Sequence, residues 1–438
     1  MSQPSSSLDP PAGVPEPTPQ VVLSALLLWV GLHLAAGPIV RLSEWRVDPL
    51  VSHGWMEAAS WRAGRLDLPA RGPNPQIGHD RPRDTAYVDG RVYNVFPPLF
   101  TMLSYGAMVL QSWQGEPPEA EFYPPWYVGL VALPLPLVGF WAFRQVTGRS
   151  AWAAVLTAYW ILGTPLLKML ANCRLGETNE LNHVLSNTGL MLLAGDLLGR
   201  RRIWPAAIGL VIGMWTRQLT AFYLVGAIWI AWAASRSGVM LRMQPTRRKG
   251  LVILGLAGIV GLGTLGALNA LKFGSVLDSG YSYIYKGRGD LYAQRAREAG
   301  LFDVGFIPRN AYYMNLALPD VRWSRMNLLI GGGDDADGTS IWLTCPLLLL
   351  AFRDARRWWQ DPARRALMVS SLGVILGVLC YHNTGSVQHG FHRFSLDFVP
   401  VWLMVIAPYT LHGRRPSWTL AALAYSVLYF NVLCRGGA

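Results

Sequence analysis

Only 15% of the 438 residues are charged, and those able to do chemistry fall into clusters. The first holds Glu44, Asp48, His53 and Glu57. Asp48 lies just past the first apolar run, in Glu44-Trp-Arg-Val-Asp48-Pro49. At a membrane surface such a carboxylate is partly desolvated and can serve as a general base. Two other readings stand beside this one. Asp before Pro opens a helix as its cap, and Asp48 with His53 and Glu57 offers ligands for a divalent cation. The second cluster is Asn172-Cys-Arg-Leu-Gly-Glu-Thr-Asn-Glu-Leu-Asn-His183. Its carboxylates are Glu177 and Glu180; Glu180 and His183, one helical turn apart, share a face. Helix capping by Glu177 or Thr178, and an interior role for His183, are the plainer alternatives.

A third set consists of cations at the ends of apolar runs: Lys168, Arg174, Arg217, Lys272, Arg309 and Arg393. Carboxylates in the same loops would pair them. A phosphate or pyrophosphate group would do so equally well, and Arg is the residue suited to gripping one. The alternating Tyr281-Ser-Tyr-Ile-Tyr285 reads as a short strand or a sugar-stacking surface. Gly331-Gly-Gly-Asp-Asp-Ala-Asp-Gly338 has neither the Lys-Ser/Thr ending of a nucleotide loop nor the acidic spacing of a calcium loop, and reads as a flexible linker.

The elements that must position these residues are membrane helices. The chain is 52% hydrophobic with a positive mean hydropathy and 19 Trp, the profile of an integral membrane protein. A net charge of +12 would suggest nucleic acid in a soluble protein. Here the Arg excess sits in short clusters between apolar runs, which reports membrane orientation and leaves no nucleic-acid partner. The four cysteines are scattered and support no metal or disulfide framework.

Residues 1–19 lack Lys and Arg and read as a disordered cytoplasmic tail. Residues 20–438 read as one transmembrane domain. Its spans fall near 21–41, 124–145, 151–171, 181–198, 203–217, 218–235, 250–271, 341–352, 366–381, 394–411 and 417–434, about eleven crossings of ~30 Å of hydrocarbon. The clusters Arg144/Arg149, Arg200–Arg202, Arg236–Lys249, Arg353–Arg365 and Arg414/Arg415 fall on one side only if the apolar run 96–113 lies in the membrane surface instead of crossing. Loops 42–123 and 272–340 then face the other compartment, in a bacterium the periplasm.

This layout resembles the membrane glycosyltransferases of the GT-C fold, near the protein O-mannosyltransferase and aminoarabinose-transferase branch. In that fold a catalytic Asp lies in a large first outer loop that contains membrane-surface helices. Asp48 and the following Pro-Leu-Val-Ser-His-Gly-Trp-Met-Glu look like that element, and Phe96-Pro-Pro-Leu-Phe100 looks like the start of the second surface helix. Trp215-Thr-Arg-Gln218, Phe273 to Tyr281, Ile307 to Tyr313 and Gly390-Phe-His-Arg-Phe-Ser-Leu-Asp-Phe-Val-Pro400 carry the rest of the similarity. Asp48 departs from the aminoarabinose-type pattern, in which Asp-Glu and then an aromatic follow.

The resemblance implies an all-α polytopic enzyme of the bacterial inner membrane. It would transfer a sugar, with inversion, from a polyprenyl-phosphate donor in the lipid to a periplasmic glycan, lipid or protein acceptor. Asp48 would be the base, Glu177 or Glu180 would orient a divalent cation or the acceptor, and Arg217, Arg393 and Lys168 would hold the departing phosphate. Arg174, Arg309, His183 and Tyr281 complete the substrate-binding candidates. A transporter or flippase of lipid-linked glycans, or an inactive lipid-binding relative of the same fold, are the alternatives.

Overall fold

The computed structural model describes residues 52–70, 81–113, 125–172, 178–233, 247–286, 288–319, 321–324, 327–330, 339–385, 391–411 and 415–430. The tail 1–19, the span 21–41, Asp48, Arg174, Glu177 and the glycine-rich stretch 331–338 lie outside them.

The described chain is mostly helical, and three helices are long and apolar enough to cross a membrane: Gly129–Thr147, Arg248–Phe273 and Pro362–Leu379. Large apolar side chains face outward along them, among them Val252, Ile259, Leu262, Val369 and Leu376. Such rows are stable against hydrocarbon and costly against water.

The chain begins with α1 (His53–Arg62), a hairpin of β1 (Thr85–Val88) and β2 (Arg91–Asn94), and α2 (Leu99–Trp113). The hairpin departs from the all-α expectation, and a second pairs β3 (Val321–Ser324) with β4 (Asn327–Ile330). The first is explained by Asp89-Gly90, both at positive φ, the pair a tight two-residue turn requires. α2 starts directly after Pro97-Pro98 and packs along α1. It buries Phe100, Ser104 and Met108 while exposing Leu103, Leu110 and Trp113. One face inward and one apolar face outward is the pattern of a helix seated against lipid.

There follow α3 (Pro125–Ala132), α4 (Pro134–Thr147), α5 (Ser150–Leu162), α6 (Leu166–Asn172), α7 (Thr178–Leu198), α8 (Trp204–Met214), α9 (Phe222–Ala233) and α10 (Arg247–Phe273). After the outer segment come α11 (Leu291–Glu298), α12 (Ile307–Asn315), α13 (Pro362–Leu379), α14 (Val399–Ile406) and α15 (Arg415–Leu428). α7 packs on α4 and α8, and α9 packs on α10 and α13. The expected break in 203–235 falls at Trp215–Arg217, between α8 and a 3₁₀ turn.

Two other expectations are corrected. Tyr281–Ile284 is a one-turn helix rather than a strand, entered through Gly280 at positive φ. The run 341–352 is a series of short helical pieces broken at Pro346, which has no N–H to continue the ladder.

The helices run between two ends. At one end Gln145 of α4 meets Gly199 after α7, Arg201 lies within electrostatic reach of Asp361 and Arg364, and Arg415 bonds Asp354. Arg201, Arg364 and Arg415, from three of the basic clusters, meet there. The other end gathers the first turn of α7, the Trp215–Arg217 break, the ends of α10 and α13, and residues 391–398.

Candidate functional site

Four cations at the second end are paired with carboxylates. Arg217, at the α8–α9 break, donates Nε to both Asp397 oxygens at 3.1 Å and Nη2 to Oδ2 at 2.8 Å. Arg393 donates Nη1 to Glu180 Oε1 at 3.2 Å. Asp397 and Glu180 are fully buried, whereas the arginine side chains keep 17% and 14% exposure. Each guanidinium is therefore held by a fully buried carboxylate while part of its side chain stays accessible. Burial, the largest single influence, would lower the pKa of Arg217, but the charge and hydrogen bonds of Asp397 together with Tyr281 and Tyr381 hold the group above its ordinary value.

Phe394 stands between the two arginines. Its ring centre is 5.0 Å from the Arg217 guanidinium carbon and 5.4 Å from that of Arg393. Such contacts contribute about 0.5–2 kcal/mol each, more when desolvated. His183 stacks on the same ring at 6.0 Å and places Nδ1 3.7 Å from Asp397 Oδ1. Glu180 and His183 thus use their shared face, as their spacing on α7 requires. Asn187, one turn further, donates to the carbonyls of His183 and Leu396, which ties α7 to the 3₁₀ turn Arg393–Asp397. Gly385 permits the packing: it sits at positive φ, and a Cβ there would strike the Phe394 ring.

Aromatic residues continue outward from Phe394. Tyr381 packs edge-on to it at 5.8 Å and touches Phe302 and His382. Tyr285 hydrogen-bonds Tyr381 and packs on His382 at 4.6 Å. Tyr281 lies within electrostatic reach of Tyr381, Arg217, Asp84 and Asp397, and burial raises its pKa. Its ring meets Phe96, and Phe96 meets His53. At the rim Arg288 pairs with Asp84 at 2.9 Å and with Asp290 at 2.7 Å. Burial lowers His382 and His392 to about 4, so both are neutral at physiological pH.

A second buried centre joins the first outer segment to α10. Glu57 accepts from Lys272 Nζ at 2.5 Å, Asn94 Nδ2 at 2.7 Å and Thr101 Oγ1 at 2.6 Å. Lys272 also donates to the Asn94 carbonyl at 2.9 Å. One carboxylate therefore holds α1, β2, α2 and the last turn of α10. His53 donates instead to the Arg83 carbonyl. In the cation reading of Asp48, His53 and Glu57, Asp48 lies outside the described residues, and Glu57 is engaged by the lysine. Among the described residues no group of three His, Cys, Asp or Glu could hold a metal ion.

The structure brings Glu180, His183, Arg217, Arg393 and Tyr281 together. For Arg217, Arg393 and Lys272 the carboxylate alternative is the one realised. Lys168 is partly buried on α6, and Arg309 is exposed on α12 over the Tyr313 ring. Asp397, Phe394, Tyr381 and Lys272 as a partner of Glu57 were missed. Asp397 carried a usable signal, since a carboxylate inside an apolar run demands a buried partner. The run read as a span at 394–411 in fact opens with the 3₁₀ turn that presents it.

Comparison with protein-family models, with curated proteins and with solved structures finds no match.

Proposed function

We propose that the chain is a membrane glycosyltransferase of the GT-C type, moving a sugar from a polyprenyl-phosphate donor to an acceptor, with inversion. The observation that carries this reading is the pair of guanidiniums, Arg217 and Arg393, set on buried carboxylates on either side of Phe394. Preorganised donors of this kind stabilise charge that develops on a departing phosphate, and in a water-poor cleft they do so strongly. Asp397 and Glu180 orient both arginines before any substrate arrives. The stacked aromatic residues beside them suit the apolar faces of a sugar ring.

In this reading the chain crosses the bilayer about eleven times, with the basic end in the cytoplasm and the site end facing the periplasm of a bacterial inner membrane. The α1–β1–β2–α2 unit is the first outer loop, locked over α10 by Glu57 and Lys272. Asp48 precedes that unit and takes the proton from the acceptor nucleophile as it attacks the anomeric carbon. The carbon–oxygen bond to the donor phosphate breaks, and the phosphate leaves as its free monoester. Glu177 or Glu180 contributes to acceptor or cation orientation.

Asp48→Asn is expected to lower sugar transfer by about 10² to 10⁴, the range of general-base help, with expression and membrane insertion unchanged. Near-normal transfer by that variant would remove Asp48 from the mechanism. Labelling of a cysteine placed at Gln114 from the periplasmic side alone is the expected topology; labelling from the cytoplasm would overturn it.

A further inference from the structure

The segment between α11 and β3 is tied to the end of a membrane helix. Asn310 of α12 donates Nδ2 to the carbonyls of Leu379 and Tyr381, at 2.8 and 2.7 Å. The Asp303 amide donates to the Cys380 carbonyl at 2.8 Å, and the His382 amide to the Leu301 carbonyl at 3.0 Å. These bonds close around the last residues of α13, whose 18 residues rise about 27 Å, close to the ~30 Å of a bilayer core. A helix of that length that begins at one boundary ends at the other, so the segment bonded to its end lies at headgroup level.

At that level the segment turns apolar side chains away from the protein. Asn310 and Met314 are buried, whereas Arg309, Tyr312 and Leu316 line the opposite side of α12. Val304 precedes the helix at 74% exposure; Leu316 closes it at 69% and Leu318 follows at 76%. Single exposed leucines are ordinary, but Phe302, Val304, Tyr312, Leu316 and Leu318 are all more than half exposed within one short segment. A row of apolar residues with one arginine beside it matches a surface of acyl chains below and phosphates above. The turn after α10 repeats the arrangement. Val276 folds back beside Gly266, two helical turns before Phe273, and Leu277 next to it is 90% exposed.

We propose that residues 302–318 and the 276–277 turn are seated in the lipid leaflet at the site end, with α12 lying along the surface, Leu316 and Leu318 among acyl chains and Arg309 at the phosphates. This inference rests on α13 being a span and is independent of any activity. Phe302, in contact with Tyr381, makes the lipid-seated segment continuous with the aromatic wall of the site.

The test places the photoreactive residue benzoylphenylalanine at position 277, 316 or 318 of the full chain, in nanodiscs of phosphatidylglycerol and phosphatidylethanolamine. The exposed residues Val260 on α10 and Glu298 on α11 serve as lipid-facing and water-facing references. Illumination should give lipid adducts at 277, 316 and 318 with a yield like that at 260, and none at 298. Yields at 316 and 318 that match 298, or crosslinks there to a second copy of the chain, would overturn the proposal. Each probe replaces one exposed side chain, and a probe at 260 that still yields adducts certifies that the protein is intact.

Discussion

The two ends of the helical bundle use ionisable residues in different ways. At the basic end the bonds are mostly local, with Arg415 to the buried Asp354 the long-range exception. Asp196 accepts from the amides of Arg202 and Ile203, Asp361 accepts from those of Ala363 and Arg364, and Arg357 pairs with Asp354 three residues earlier. These groups cap turns and leave many arginines to water. At the site end the pairs join distant parts of the chain: Arg217 to Asp397 across 180 positions, Arg393 to Glu180 across 213. Local caps are what short loops need to reverse direction. Long-range buried pairs place cations in a cleft and hold them there, which loop closure alone does not require.

Breaking that contrast should produce its largest effect at the long-range pairs. Asp397→Ala leaves Arg217 without its counter-charge and should cost about 3–5 kcal/mol, read as a loss of stability in reconstituted protein. Lys272→Met strands Glu57 in the same way. Equal stability of either variant and the natural chain would show that the pair is not buried as described. Lys272→Met should also loosen α1, β2 and α2, visible as faster amide exchange over those elements alone.

Lowering the pH should act next, and through the site end. His382 and His392 are held near 4 against an ordinary 6.5 because burial disfavours the cation. The unfolded chain therefore takes up protons first. Stability should be flat above about pH 6.5 and fall between there and pH 4, by about 2–3 kcal/mol for each imidazole. His382→Gln with His392→Gln should flatten that slope, and a slope that persists would assign it to other groups.

Phe394→Leu should cost about 1–3 kcal/mol, from the lost cation–π contacts and the smaller side chain. It should weaken transfer more than its stability cost explains, because both guanidiniums lose their common support. The smallest change is expected at the basic end. Arg357 is 53% exposed and lies 3.4 Å from Asp354, so Arg357→Ala should stay within about 1 kcal/mol. A larger loss there than at Asp397 would reverse the comparison.

Much of this arrangement was legible in the sequence, and the reasons differ by feature. Apolar runs gave a mostly helical chain with helices long enough to cross a membrane, since both depend on hydrophobicity alone. Glu180 with His183 was visible because a helix puts neighbours one turn apart on the same face. The Arg217 and Arg393 partners were not, since those pairs join positions some two hundred residues apart and no local spacing encodes them. Asp397 was hidden inside an apolar run, and Tyr281–Ile284 had the alternation of a strand but was folded as a helical turn by Gly280 and its neighbours. The Asp89-Gly90 hairpin carries a readable two-residue turn signal inside a stretch whose polarity alone says only that it lies outside the membrane.

Sugar transfer is decided by incubating the purified chain in lipid nanodiscs with a panel of polyprenyl-phosphate sugars and following release of the sugar from its phosphate. Release from at least one donor is expected for the natural chain, with a loss of about 10² to 10⁴ in Asp48→Asn. No release from any donor in the panel, or equal release by the two proteins, would contradict the proposed transfer.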